Sequence, residues 1–248
     1  MLRRLTRYIK KRKKVTEYSW MEINSGVFKG HTLYLPKDWG YKVIGEEHEA
    51  EIFKTIRTTV GSNKVFYDIG SHYGWFSIAW LCAGGKFVES FEPSLENGEI
   101  IKKTVEKNNF SPCIKLHGFA LGDKTMNSKL FLFPGDSSRN FIKDSNVKIK
   151  ENNFNHLEDV QLKTVDNLYY NESLRKPDLI KIDVEGFEYK VLKGAKRLLT
   201  ELKPKVVVEI HDVENGLLVS DFMSKIGYSM KILGHKGRNK NLPLVLWS

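Results

Sequence analysis

The fold is decided by the stretch Val65-Phe66-Tyr67-Asp68-Ile69-Gly70-Ser71-His72-Tyr73-Gly74-Trp75-Phe76. An apolar run typical of a buried strand ends there in an acid and a glycine turn. A second strand-like run, Lys86 to Phe91, ends in Glu92, 24 residues after Asp68. An α/β sheet builds a nucleoside pocket in this way, because the glycines let the backbone approach the ligand and the second carboxylate accepts hydrogen bonds from ribose hydroxyls. The stretch therefore predicts a strand–turn–helix unit that binds a nucleoside.

The spacing within this loop excludes two common phosphate-binding motifs. The dinucleotide fingerprint G-x-G-x-x-G has a glycine where this chain has Asp68, so the loop reads D-x-G-x-x-x-G, and the motif G-x-x-x-x-G-K-[ST] is absent from the sequence. A carboxylate at this position would repel a pyrophosphate at the following helix N-terminus, but it would attract a cationic amino group or a sulfonium. S-adenosylmethionine is therefore the predicted cofactor, and a plain strand-to-helix turn is the structural alternative.

Composition indicates a globular protein with one substantial domain. The chain has 248 residues, of which 41% are hydrophobic and 12% aromatic, which is typical of a folded α/β domain with a small extension. No apolar run reaches the length of a membrane span. The two cysteines, Cys82 and Cys113, lie in apolar patterns and are interpreted as free thiols, so neither a disulfide scaffold nor a zinc site is expected.

The net charge of +10 is concentrated at the N-terminus. Eight Lys or Arg residues and no acid lie between Arg3 and Lys14, with apolar residues at helical spacing among them. Residues 1–14 are a candidate for contact with an anionic membrane surface or an acidic partner, and a solvated arm is the alternative. The arm lacks the long apolar core of a secretory signal, so we expect a cytoplasmic protein with this arm as its candidate peripheral membrane contact.

Strand-like and helix-like segments alternate after this arm. We divide the chain into residues 1–45, the arm plus a hairpin at 20–35, and residues 46–248, the catalytic domain. Predicted strands cover 64–69, 86–91, 114–117, 178–183 and 205–211, and predicted helices cover 46–60, 75–82, 95–108, 188–200 and 213–225. This alternation predicts parallel strands that are joined by right-handed crossovers.

Two segments depart from the alternation. Residues 129–162 form a substrate-side insertion with predicted strands at 129–133 and 160–163 around a polar stretch. Arg139, in the cluster Ser137-Ser138-Arg139-Asn140, is a candidate substrate contact, and a solvated loop is the alternative. Segments 228–233 and 242–247 flank a basic loop and predict a terminal hairpin that gives the sheet one antiparallel strand.

Charged residues interrupt two apolar strands near their ends. Lys181 and Asp183 share one face of their strand, as do Glu209 and His211, and adjacent parallel strands would bring all four to the carboxyl edge, where α/β sheets bind ligands. His211 is the first candidate general base and Asp183 the second, with Lys181 and Glu209 orienting them and Glu185 contacting substrate hydroxyls. A structural Lys181–Glu209 ion pair is the alternative. No metal is predicted, because a site made of Asp183, Glu209 and His211 is not demanded by the spacing.

Five blocks of the sequence resemble the FkbM family of methyltransferases. The resemblance runs from about residue 47 to residue 211, and the K-I-D-V-E-G-x-E block is its most specific part. The blocks are Asp68–Gly74, Phe91–Pro93, Ala120–Asp123, Lys181–Glu188 and Val191–Ala195. The resemblance implies a Rossmann-like class I methyltransferase fold with a mostly parallel seven-stranded sheet. It also implies S-adenosylmethionine as donor and a hydroxyl oxygen of a sugar or natural product as acceptor.

The same resemblance assigns the parts of the cofactor site. Asp68, Gly70 and Gly74 would border the methionine part, Glu92 would hold the ribose, and Ala120 would lie beside the adenine. The full set of expected cofactor contacts is Asp68, Gly70, Ser71, Tyr73, Gly74, Glu92, Pro93 and Ala120.

The predicted function is O-methylation of a hydroxyl on a sugar, glycan or natural-product acceptor. One alternative is ribose 2′-O-methylation of RNA, which the positive charge would favour. Nucleic acid is disfavoured as a partner, because the charge lies in one terminal arm and no stripe of aromatic and basic residues is present. The other alternative is a non-catalytic module that binds through the cofactor fold. The sequence carries no signal for an oligomeric state.

Overall fold

The computed structural model describes residues 16–39, 50–133, 137–143, 157–235 and 243–248. The basic arm at residues 1–14, the first residues of the predicted helix at 46–60, much of the polar stretch in the insertion and the basic loop of the terminal hairpin lie outside the described residues. Within the described part, a central seven-stranded sheet is flanked by helices, and a smaller sheet lies beside it.

The central sheet is mostly parallel. Its strands in spatial order are β12 (Met230–His235), β13 (Pro243–Trp247), β11 (Lys205–Glu209), β10 (Leu179–Ile182), β3 (Val65–Ile69), β4 (Phe87–Phe91) and β5 (Ile114–His117). All neighbouring pairs from β11 to β5 are parallel, whereas β13 is antiparallel to both of its neighbours. The predicted fold, including the single antiparallel strand, is confirmed. The chain order reverses between β3 and β10, the kind of position where open α/β sheets bind ligands.

Helices cover both faces of the sheet, which explains why its central strands are mostly apolar. All five residues of β3 and all four of β10 are buried. The helices are α1 (Ala50–Thr59), α2 (Trp75–Cys82), α3 (Leu95–Lys107), α4 (Val165–Asn171), α5 (Glu188–Lys193), α6 (Lys196–Leu202) and α7 (Val213–Lys225). In the part of the chain that the structure describes, no helix is long and apolar enough to cross a membrane.

The predicted helix at 188–200 is two helices, α5 and α6. A Cβ added at Gly194 would lie 1.9 Å from the Gly122 carbonyl oxygen, so the chain needs a glycine where it passes this loop. The carboxylate of Asp166 accepts hydrogen bonds from the backbone N–H groups of Arg197 and Leu198, both at 2.9 Å, and so caps the start of α6. The prediction of one continuous helix was wrong. The break between α5 and α6 depends on these two tertiary contacts, which the local sequence pattern does not reveal.

The insertion contributes most of a second sheet. Strands β6 (Ala120–Leu121), β9 (Leu157–Lys163), β7 (Met126–Phe131) and β8 (Phe141–Ile142) pair in that spatial order. The long β7–β9 pair is antiparallel, and the buried residues of β9, Val160 and Leu162, lie on one face of that strand. The sequence predicted two strands here but not their assembly, since polar residues cover the other face.

The N-terminal hairpin docks onto helix α3. Strands β1 (Tyr18–Glu22) and β2 (Thr32–Pro36) are antiparallel. The backbone N–H groups of Thr32 and Tyr34 donate to Asn108 Oδ1 and Thr104 Oγ1, both at 3.0 Å, so side chains of α3 satisfy the free edge of β2. Leu33 and Leu35 are buried in a core shared with α1 and α2. The domain division at residue 45 stays a prediction.

Candidate active site

The glycine loop, residues 70–74, joins β3 to α2. Asp68, in β3, is hydrogen-bonded to the first turn of α2 and so fixes the helix that follows the loop. Asp68 is fully buried, and its Oδ2 accepts hydrogen bonds from the backbone N–H of Ser77 at 2.9 Å and from the Ser77 hydroxyl at 2.7 Å. This carboxylate therefore caps α2, where a negative charge is favourable. Its Oδ1 is buried without a hydrogen-bond partner among the described residues. Burial raises the pKa of Asp68 despite the opposing effects of the Lys181 charge and the Ser77 hydrogen bonds.

Gly70 ties this loop to the loop that follows β10. Its φ is 76°, and a Cβ there would lie 1.9 Å from the backbone oxygen of Asp183. Gly74 has a similar φ of 77° and precedes the first residue of α2. In the structure these glycines serve the packing of protein backbone, whereas their contact with cofactor stays a prediction.

Glu92 fixes the other side of the glycine loop. Its carboxylate accepts hydrogen bonds from the backbone N–H groups of His72 (2.8 Å) and Ser94 (3.0 Å) and from the Asn97 side chain (3.2 Å). The bond to His72 supports a residue with a φ of 54°, which costs a non-glycine residue about 1 kcal/mol. Burial raises the pKa of Glu92 to about 7, although these three hydrogen bonds lower it. If Glu92 also binds the ribose, as predicted, its carboxylate would accept hydrogen bonds from the ribose hydroxyls in addition to those from His72, Ser94 and Asn97.

The insertion and the N-terminal segment meet above the glycine loop. Ser137 Oγ lies 2.8 Å from His72 Nε2 and 2.6 Å from the Tyr73 hydroxyl, and the ring centroid of Trp39 lies 5.0 Å from that of Tyr73. Arg139 is exposed, with its guanidinium 3.9 Å from the centre of the Phe133 ring.

The other predicted cofactor contacts lie at the ends of neighbouring strands. Ser71 is buried and accepts a hydrogen bond from Ser90 Oγ at 2.8 Å. Pro93 is half-buried behind β4, and Ala120 is buried in β6. Ser71 and Pro93 follow the carboxyl ends of the adjacent strands β3 and β4, whereas Ala120 belongs to the second sheet.

Lys181 and Asp183 form a buried ion pair at the end of β10. The Lys181 Nζ lies 3.0 Å from Asp183 Oδ2 and 4.7 Å from the centre of the Phe76 ring. The Lys181 side chain is buried, while that of Asp183 is 20% exposed. Strand β10 ends at Ile182, one residue earlier than predicted, so Asp183 stands just beyond the strand and reaches the edge of the sheet.

His211 is surrounded by four carboxylates. Its Nδ1 lies 2.8 Å from Glu188 Oε1, while its Nε2 lies 3.5 Å from Asp183 Oδ1, 3.5 Å from Glu185 Oε1 and 3.7 Å from Glu209 Oε1. We call these five residues the His211 cluster. The structure thus brings Asp183, Glu209 and His211 together at one edge of the sheet, as the sequence predicted, because β10 and β11 are adjacent and parallel.

The protonation of His211 differs from what a general base requires. Burial lowers the pKa of His211, but the hydrogen bond and charge of Glu188 and the charges of Asp183 and Glu185 outweigh burial and raise the pKa to about 10. At neutral pH the imidazole of this arrangement is therefore protonated and has no lone pair to accept a proton. Asp183, the second sequence candidate, is the other possible proton acceptor, and its role stays a prediction.

Glu188 is the last residue of the K-I-D-V-E-G-x-E block, but the sequence alone predicted no role for it. Glu188 is fully buried at the start of α5 and accepts from the backbone N–H of Gly186 at 3.0 Å and from the side chain of Asn215. The spacing of three residues from Glu185 was the only signal in the sequence. Its approach to His211 depends on how α5 packs against α7, which the sequence does not specify.

A parallel sheet with a glycine loop after its central strand, an acid after the next strand and polar residues at the same edge defines a class I methyltransferase. A family model of the methyltransferase FkbM domain matches residues 68–230, which is more than half of the chain. The chain therefore belongs to the FkbM methyltransferase family.

Two known proteins illustrate the similarity. A crystal structure of an FkbM methyltransferase from Methylobacillus flagellatus KT has a TM-score of 0.55 and 17% sequence identity, covering 85% of this chain and 61% of that one. The AMB antimetabolite synthetase AmbE of Pseudomonas aeruginosa is 21% identical over 270 residues, covering 93% of this chain and 12% of that protein. The chain thus spans only part of the length of either protein.

The cofactor of this methyltransferase domain is S-adenosylmethionine. The residues at the glycine loop fit it, since the buried Asp68 Oδ1 is an acceptor that still lacks a donor among the described residues. Asp68 and the loop at 70–74 would hold the methionine part, and Glu92 would hold the ribose. When bound, this cofactor supplies an electrophilic methyl group on a sulfonium.

Proposed function

We propose that this chain methylates a hydroxyl oxygen of a sugar, glycan or natural-product acceptor. The observation that carries the proposal is the His211 cluster, which lies at the carboxyl ends of β10 and β11 beside the glycine loop. The contact between Gly70 and the backbone of Asp183 links the two sites directly. A methyl acceptor at the cluster would therefore face a cofactor held by the loop.

Proton acceptance is the chemical task of the cluster. An alcohol is a poor nucleophile, so a group at the site must take its proton as the new bond forms. Asp183 is placed for this role, because its side chain is 20% exposed and Lys181 holds its other oxygen at 3.0 Å. Holding the hydroxyl in line with the methyl group would provide much of the remaining rate enhancement.

A hydroxyl-rich acceptor matches the groups around this position. Glu185, with 32% of its side chain exposed, offers carboxylate oxygens to hydroxyl donors. The name of the relative AmbE, an antimetabolite synthetase, supports a natural-product acceptor. Arg139 and the remainder of the insertion would contact the more distant part of the acceptor.

The test is methyl transfer to a panel of sugars, glycans, lipid-linked sugars and small alcohols, with methyl-labelled S-adenosylmethionine and the full chain. The variant Asp183→Asn should lose at least about a hundredfold in turnover, the lower range for a general base, with its affinity for S-adenosylmethionine kept. The matched control is Asp221→Asn, on the exposed end of α7, which should behave as wild type. Label found on nitrogen, carbon or RNA, or full turnover by Asp183→Asn, would overturn the proposal.

A further inference from the structure

The His211 cluster has the geometry of a metal-ligand set. One donor atom from each of Asp183, Glu209 and His211 lies within 4.8 Å of the others. The distances from His211 Nε2 to Asp183 Oδ1 and Glu209 Oε1, 3.5 and 3.7 Å, exceed the roughly 2.9 Å of an ordinary hydrogen bond. Ligand atoms about 2.1 Å from one octahedral ion are separated by about 3 Å when adjacent and about 4.2 Å when opposite. The three donors are therefore spaced as ligands around a shared centre.

The imidazole is already oriented for coordination. His211 Nδ1 lies 2.8 Å from a carboxylate oxygen of Glu188, which is fully buried and held by the backbone N–H of Gly186 and the Asn215 side chain. A carboxylate on Nδ1 keeps a proton there, so a cation on the other side of the ring would displace only the Nε2 proton and would bind the nitrogen that faces the other donors. Metal-binding histidines commonly have such a carboxylate behind them, where it fixes the tautomer and the ring orientation. This observation is independent of the acidic residues on the Nε2 side.

The charge of the cluster also favours a cation. Glu185 lies as close to His211 Nε2 as Asp183 does, so three carboxylates converge on one nitrogen while a fourth, Glu188, lies behind the ring. The ammonium of Lys181 is bonded to Asp183 Oδ2, whereas Asp183 Oδ1 is the oxygen that lies 3.5 Å from His211 Nε2. Repulsion between converging carboxylates decreases when a cation lies between them.

We propose that Asp183, Glu209 and His211 bind a divalent cation of the Mg²⁺ and Mn²⁺ class. The oxygen-rich donor set favours these ions over zinc, which prefers thiolates and several imidazoles. The role of the ion rests on the proposed function: it would bind the acceptor hydroxyl and lower the pKa of that hydroxyl. With the ion on Asp183 Oδ1, the proton would pass to the carboxylate of Glu185, whose side chain is 32% exposed, and not to Asp183. The existence of the site does not depend on that role.

The test is Mn²⁺ binding to the EDTA-treated full chain, without cofactor or acceptor. Electron paramagnetic resonance should show one bound Mn²⁺ per chain that excess Mg²⁺ displaces, and spin-echo spectra should show coupling to an imidazole nitrogen. Asp183→Asn and Glu209→Gln should each weaken binding at least tenfold, and His211→Gln should abolish the nitrogen coupling. The controls Asp221→Asn and Glu99→Gln, at exposed ion pairs, should bind as wild type.

Circular dichroism and thermal melting of each variant separate loss of ligands from loss of fold, and the nitrogen coupling in the wild-type chain needs no variant. The proposal is overturned if wild type binds no more Mn²⁺ than the two ligand variants, or if the bound ion shows no nitrogen coupling. Mn²⁺ binding in a chain that methylates no hydroxyl would support the site while contradicting the proposed function. Hydroxyl methylation by a chain that binds no Mn²⁺ would do the reverse.

Discussion

Glu92 is a buried carboxyl group whose ionisation is opposed by the folded state. The substitution Glu92→Gln removes this ionisation and therefore measures its effect on the free energy of unfolding. Burial raises the pKa of Glu92 from an ordinary 4.5 to about 7. Because the folded state then binds a proton more tightly than the unfolded state, this group stabilises the fold most below pH 4.5, and that contribution is lost as the pH rises to about 7. A shift of this size corresponds to about 3 kcal/mol.

The assay is urea unfolding of wild type and Glu92→Gln, followed by circular dichroism between pH 4.5 and 8. The free energy of unfolding of wild type should fall by about 3 kcal/mol relative to the variant over this range, with little change above pH 7.5. A constant difference will be added, since the Gln amide keeps one acceptor for the donors of His72, Ser94 and Asn97 but brings a donor of its own.

The control is Glu99→Gln. Glu99 is exposed, and its hydrogen bond to Lys102 lowers its pKa, so the difference from wild type should not change with pH above 5. The difference in free energy of unfolding between wild type and Glu92→Gln could instead be independent of pH, or wild type could become relatively more stable as the pH rises. Either result would show that the folded state does not raise the pKa of Glu92.

Two further predictions concern the glycine loop. Gly70→Ala should lower the free energy of unfolding by well over the roughly 1 kcal/mol cost of a left-handed alanine, because its Cβ would meet the Asp183 backbone; Gly84→Ala, at a φ of 94° with nothing within 4 Å, should show the conformational cost alone in the same urea titration. Equal losses in the two variants would contradict the packing of the two loops. Ser77→Ala should cost about 1 to 3 kcal/mol, since it removes a hydroxyl that bonds to the buried Asp68. A thermal melt unchanged from wild type would show that the carboxylate does not depend on this hydroxyl.

The central sheet could be predicted from the sequence because its strands are covered on both faces and therefore read as mostly apolar runs, interrupted chiefly by the charged residues of the candidate site. Strand β5 and helices α2 and α7 have the predicted bounds. The second sheet is different, because β9 buries residues on one face only and pairs with β7 across a polar segment. The break between α5 and α6 depends on Gly194 passing Gly122, a contact between residues far apart in the chain.

The candidate site was predictable in part. The alternation of side chains along parallel strands placed Asp183 and His211 at one edge, and the structure has them 3.5 Å apart. The protonation of His211 was not predictable, because it depends on Glu188, which reaches the ring from the first turn of α5. The hydrogen bond from the backbone N–H of His72 to Glu92 could not be predicted either, since a backbone donor is the same for every residue type.

Calorimetric titration of S-adenosylmethionine into the full chain tests most directly whether the glycine loop binds this cofactor and whether Asp68 contributes to that binding. We expect one site per chain, an affinity at least tenfold weaker in Asp68→Asn, and an unchanged affinity in Asp221→Asn. An absence of binding by wild type to the cofactor and to its demethylated product would contradict the account, and equal affinities of wild type and Asp68→Asn would remove Asp68 from it.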